Sequence, residues 1–208
     1  MAMDIRHHRL DLLTSLTLPR TGVLNLKRVE NWLRKNIGEI KIEDLKVPFA
    51  CVAVDIDNGE EVVIKEGPVW EVVRASSSIP VLFALKPCRG RYLVDGTIRN
   101  AVPVNVAREM GADFVIAVNA LHNAVDIMDH KLMKKVKEPN IITVALKAMY
   151  IFGYQSIESS VGGADILIEP ELTRVAYTDF HKAEECIEAG RLAAQNAIPK
   201  IREILRLP

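Results

Sequence analysis

Apolar residues recur at helical and strand spacings along most of this chain, with turn residues between them. In "TGVLNLKRVENWLRKNIG", Leu26, Val29, Trp32 and Leu33 fall on one helical face, Asn25 is placed to cap it and Gly38 to end it. "VPFACVAVDIDNGEEVVIKEG" reads as two β-rich runs joined through Asn58-Gly59, a dipeptide suited to the positive φ of a tight hairpin. Pro68 opens a short helix, "VWEVVRAS", because a first helical position has no use for the amide hydrogen that proline lacks.

The remainder alternates in the same manner. "RYLVDG" predicts a strand, "PVNVAREMG" a helix closed by Gly111, and "DFVIAVNA" a continuous apolar strand covered on both faces. A long helix is expected over roughly Glu138 to Ser160, broken by Gly162-Gly163. "ADILIEPEL" then reads as another buried strand, and "DFHKAEECIEAGRLAAQNAIPKIREIL" as a closing helix disturbed at Pro199. Apolar strands alternating with helices predict an α/β fold with a mostly parallel central sheet, and 208 residues fit a single domain spanning 1–208.

Composition narrows the function classes. Lysine and arginine number 27 and so do aspartate and glutamate, so no basic surplus draws the chain to nucleic acid; the cluster Arg6-His7-His8-Arg9 reads as a solvated terminus. Cys51, Cys88 and Cys186 are odd in number and lack metal-ligand spacing, which fits a reduced compartment. With no apolar core after the first charges, no signal peptide is expected, and the protein is expected to be cytoplasmic. The most apolar run, "IITVALKAMYIFGY", contains Lys147 and is too short to span a bilayer; it reads as a buried helix, with an interfacial, lipid-facing helix as the alternative.

Asp95-Gly96 is the first candidate for chemistry. Asp-Gly is a common turn, but this one ends an apolar strand, and ligands of α/β sheets gather beyond the carboxyl ends of strands. A carboxylate there accepts a proton from a hydroxyl nucleophile within reach, and Gly96 lets the backbone turn sharply. Ser76, Ser77 and Ser78 lie upstream without the flanking glycines of a nucleophile elbow, and no Gly-x-Ser-x-Gly occurs in the chain; turn serines lining a pocket wall are the simpler reading. His122, His130 and His181 are not tied to Asp95 by spacing, and none is assigned to catalysis. No cluster has zinc or calcium spacing, and Gly162-Gly163 lacks the rest of a dinucleotide loop.

In their order, "VPFACVAVDIDNGEEVVIKEG", "VVRASSSIP", "YLVDGTIRNAVPVNVAREMGADFVIAV", "ADILIEPEL" and "DFHKAEECIEAG" make the chain resemble the patatin-like phospholipases in their bacterial and archaeal cytoplasmic form. The resemblance covers nearly the whole chain. It implies a three-layer α/β/α sandwich, hydrolysis of lipid acyl esters by a serine-aspartate dyad without histidine, and no cofactor or metal. The family aspartate, in Asp-Gly-Gly or Asp-Gly-Ala, falls on Asp95 as proton acceptor; Thr97 stands at the third position, a departure that adds a hydroxyl beside the site. The family's glycine-rich oxyanion loop and serine elbow lie upstream of the part that resembles Leu12–Arg34. The chain is therefore expected to be the C-terminal portion of the family domain, without its N-terminal strands and nucleophile.

Two functions follow as expectations. One is a phospholipase, lysophospholipase or esterase in which Asp95 serves a serine supplied from elsewhere. Without that hydroxyl, turnover falls on the order of a million-fold. The other is a non-catalytic module that binds acyl chains or a protein partner. A further, rewired arrangement would use Ser76, Ser77 or Ser78 as nucleophile. Missing strands would leave open sheet edges, so self-association or a covering partner is expected, beside lipid or ester substrate and peripheral membrane contact.

Overall fold

In the computed structural model, residues 22–24, 27–121, 141–172, 175 and 179–207 are described. His122, His130, Asn25, Leu26 and the Arg6–Arg9 cluster lie outside these residues. The described residues fall into two compact units, the first holding those of 22–101 and 141–156 and the second those of 102–121 and 157–207.

The first unit is built around a four-stranded sheet. Strand β1 (Gly22–Leu24) precedes helix α1 (Lys27–Ile37), which ends at Gly38 with φ +80° as the spacing predicts. Strands β2 (Cys51–Asp55) and β3 (Glu61–Ile64) form the expected hairpin, with Gly59 at φ +73°. Helix α2 (Val69–Ser76) follows Pro68, then β4 (Val81–Phe83), β5 (Pro87–Cys88) and β6 (Arg91–Asp95). A second hairpin joins β5 to β6 through Arg89-Gly90, both at positive φ, the geometry of a two-residue type I′ turn. Arg89 is held there through its guanidinium, which bonds the Glu66 carboxylate and the Glu66 carbonyl.

The sheet order is β3-β2-β6-β5 and every neighbouring pair is antiparallel, which corrects the expectation of a mostly parallel central sheet. The helical crossover does return the chain in parallel: β3 and β6 both run opposite to β2. But β2 lies between them, so each ladder is antiparallel. Among the described residues parallel pairing is confined to β1 with β4 and to a two-stranded sheet in the second unit. The core of the first unit lies under the sheet, where Val72 and Ala75 of α2 meet Ala53, Ile64, Cys88 and Leu93, with Ile42 beside them.

The second unit contains α3 (Val104–Glu109), β7 (Ile116–Val118), β8 (Ile166–Ile168) and α5 (Ala183–Leu205). Helix α4 (Ile141–Ser160) has its larger part in the first unit and its last turn in the second. β7 pairs parallel with β8, and the Asp165 carboxylate fixes their start: it accepts the Val115 N–H at 2.7 Å and pairs with Arg108. The Val115 bond, followed by the Arg108 contact, holds that carboxyl below the usual carboxylate range.

Three expectations change here. β7 and β8 are not covered on both faces, since Ile116, Val118 and Leu167 are exposed. Helix α4 is not buried throughout: Ile141, Val144 and Phe152 are exposed while Gly153 and Ile157 are buried. Helix α5 continues through Pro199.

Candidate active site

Asp95 is the last residue of β6, in register with Ala53 of β2, and its backbone N–H donates to the Ser78 carbonyl at 3.0 Å. Directly after it the chain enters a short 3₁₀ turn, Gly96–Ile98, which Asp95 caps. The turn needs glycine at its first position for a local reason. A Cβ on Gly96 would lie 2.3 Å from the Val52 carbonyl oxygen and 2.7 Å from its carbon, so the backbone closes on β2 only where no side chain intervenes.

The Asp95 carboxylate is held by Thr97. Oδ1 accepts the Thr97 N–H at 2.8 Å and the Thr97 hydroxyl at 2.7 Å. Among the described residues Oδ2 accepts no hydrogen bond. Burial raises the Asp95 pKa above the ordinary carboxylate value, and the two Thr97 bonds, the hydroxyl's first, oppose that rise by favouring the charged form. The outcome is a carboxylate with one oxygen anchored, the other open, and a raised proton affinity. A hydroxyl brought to Oδ2 would meet a general base.

The three serines take other roles. Ser76 Oγ donates to the Val52 carbonyl at 2.7 Å, Ser77 Oγ to the Val73 carbonyl at 2.7 Å, and Ser78 Oγ to the Arg74 carbonyl at 2.7 Å. Each hydroxyl hydrogen is thus committed to a main-chain acceptor, two of them one turn back along α2, and none is directed to Asp95. Ser78 serves the aspartate through its backbone carbonyl instead. The Cys51 thiol, beside Ser76, is pushed up to about 11 by burial and is no thiolate nucleophile at neutral pH. His181 stands exposed in the 3₁₀ turn Phe180–Lys182 of the second unit. Among the described residues no group of His, Cys, Asp and Glu is arranged to hold a metal ion.

In the sequence Thr97 is only a departure that sets a hydroxyl beside the site; its two bonds to Asp95 are visible only in the structure. The signal was present, since Asp-x-Thr is the spacing at which an aspartate caps a turn and receives the second residue's amide. Nothing in the sequence pointed to Gly153 and Ser156, nearly sixty residues away, whose helix lies against Thr97: the Ser156 hydroxyl is 3.2 Å from the Thr97 carbonyl oxygen.

Comparison with known proteins adds a family. The model for the patatin-like phospholipase family matches residues 4–108, a span that includes Asp95, Gly96 and Thr97. A Caenorhabditis elegans protein named for a patatin-like phospholipase domain is 32% identical over 117 residues, covering 55% of this chain and 11% of that protein. The lysophospholipase NTE1 of Meyerozyma guilliermondii is 24% identical over 95% of this chain and 15% of its own length. An uncharacterized NTE-family protein of Mycobacterium tuberculosis is 26% identical over 94% of this chain and 36% of its own length. The chain thus spans little more than a third, at most, of these curated relatives.

Proposed function

The chain belongs to the patatin-like phospholipase family, and from that premise we propose that it carries the base half of a serine-aspartate acyl-ester hydrolase of the phospholipase, lysophospholipase or esterase type. The observation that carries this reading is the Asp95 carboxylate, anchored through Oδ1 and open at Oδ2. A serine of a Gly-x-Ser-x-Gly segment, which these 208 residues do not contain, attacks the ester carbonyl while Asp95 takes its proton. Asp95 returns that proton to the leaving alkoxide, which departs as the alcohol. The carboxylate then takes a proton from water, whose hydroxide attacks the acyl-enzyme, and the proton passes back to the serine as the acid leaves. On this reading the domain completes as a three-layer α/β/α sandwich, and no cofactor or metal takes part.

The exposed Ile141, Val144 and Phe152 of α4 support peripheral contact with a lipid surface, as apolar side chains on a helix that also lies against the Asp95 turn. The NTE1 lysophospholipase among the similar proteins supports a lipid acyl ester as substrate class. We place the activity in the cytoplasm.

The test is hydrolysis of p-nitrophenyl butyrate and lysophosphatidylcholine by the protein the gene encodes, with Asp95→Ala beside it. We expect the variant to lose at least about a hundredfold in kcat. The wild-type rate should fall on the acid side with a midpoint above the ordinary carboxylate range, because the base works only when ionised and burial raises its pKa. Fluorophosphonate labelling should mark a serine other than Ser76, Ser77 and Ser78; labelling of one of those three would overturn the dyad as drawn. Saturable fatty-acid binding with no turnover would instead establish a non-catalytic module.

A further inference from the structure

We propose that Thr97 is a positioning residue for Asp95, selecting Oδ2 as the oxygen presented to a nucleophile and tying the aspartate turn to helix α4. The proposal rests on the reading of Asp95 as base, but its first test does not require catalysis.

The geometry supplies two donors to one oxygen. The Thr97 N–H and hydroxyl reach Oδ1 at 2.8 and 2.7 Å, occupying both of its lone-pair directions and stopping rotation about the Cβ–Cγ bond. Glycine or alanine at this position, the residues that the resemblance leads one to expect, would supply the amide alone. The hydroxyl is thus a second anchor that glycine or alanine would lack. The turn itself is clamped from both sides within the first unit. On one side Gly96 sits against the Val52 carbonyl. On the other, Gly153 of α4 faces the Thr97 carbonyl, and a Cβ there would lie in ordinary van der Waals contact, 3.5 Å from its oxygen. The Ser156 hydroxyl reaches the same oxygen at 3.2 Å while bonding the Gly153 carbonyl at 2.8 Å. Any movement of α4 is thereby transmitted to the Thr97 peptide and through it to Oδ1.

Among the described residues no neighbouring charge competes for control of the carboxyl. On β2, Asp55 is paired with Arg91 of β6. On α2, Arg74 is paired with Glu30. Arg99 follows the turn, and Lys147 and Glu71 lie on α4 and α2. None of these shifts Asp95; among the described residues only burial and the two Thr97 bonds do.

The experiment is a pH titration of the Asp95 side-chain carboxyl by 13C NMR in the 208-residue chain, its signal assigned by absence in Asp95→Asn. Thr97→Val removes the hydroxyl at nearly constant shape and should move the Asp95 midpoint upward; Thr97→Ser should restore it, and Thr97→Ala should behave as the valine variant. An unmoved midpoint in both Thr97→Val and Thr97→Ala, with the amide fingerprint otherwise retained, overturns the proposal. In the protein the gene encodes, Thr97→Val should lower kcat about tenfold, with KM little changed and the acid limb displaced to higher pH. If the midpoint moves as expected but Asp95→Asn hydrolyses esters at the wild-type rate, Thr97 still holds the carboxyl and the base assignment alone fails.

Discussion

Gly96 shows how much of the candidate site depends on the absence of a single atom. Its φ is not positive, so glycine is not needed there for a left-handed turn; it is needed because β2 occupies the space a side chain would fill. The obstructing atoms are main chain, and the Val52 carbonyl also accepts the Ser76 hydroxyl, so it has little freedom to retreat. Gly96→Ala should therefore cost about 3 kcal/mol in urea unfolding followed by circular dichroism, the upper end of what overpacking costs. The sequence made Asp95 legible because a charged residue ending an apolar strand is conspicuous. It concealed the role of Thr97, since a threonine two residues on is unremarkable until its hydroxyl is seen on Oδ1.

Helices and hairpins were legible wherever a local rule decides them. The period of Val29, Trp32 and Leu33 sets α1, Asn58-Gly59 sets the first hairpin, and Pro68 marks the start of α2, in the cap rather than the first helical position. The Arg89-Gly90 hairpin was missed because arginine is an unusual choice for a positive-φ position; here its side-chain bonds to Glu66 compensate. Packing between elements leaves a fainter trace. Arg74 lies on the inner face of α2 with its side chain 3% exposed, and its Nε is 3.4 Å from Glu30 of α1, which Lys86 also contacts. Its remaining described partner, the Pro87 carbonyl, is 3.5 Å away. Glu30→Gln therefore leaves a buried guanidinium without its counter-charge, and we expect a loss of about 3 kcal/mol in urea unfolding. Replacing both residues by methionine should recover most of it, since the pair repays its own desolvation and little more.

At the scale of the molecule, local rules decide least. Period and turn chemistry say where strands lie, but not that β2 would stand between β3 and β6 and turn the expected parallel ladder antiparallel. Exposure is likewise a property of the assembled chain, and it is high along α5, which has no buried residue in its 23 positions. Ile198 and Leu205 follow Ile187 after about three and about five turns, so the three stand on one stripe of the helix. They are 47%, 43% and 40% exposed in chain order. An apolar stripe that long on a water-facing helix favours association with another such stripe, each large aliphatic side chain, already more than half covered, adding about 1 kcal/mol when the rest is covered. We accordingly expect the 208-residue chain to self-associate, with a light-scattering mass that rises above 23.2 kDa as concentration increases. Ile198→Glu combined with Leu205→Glu should weaken that association at least about tenfold while leaving the helical circular dichroism signal unchanged. A mass fixed at 23.2 kDa into the high micromolar range would remove self-association as the fate of this stripe.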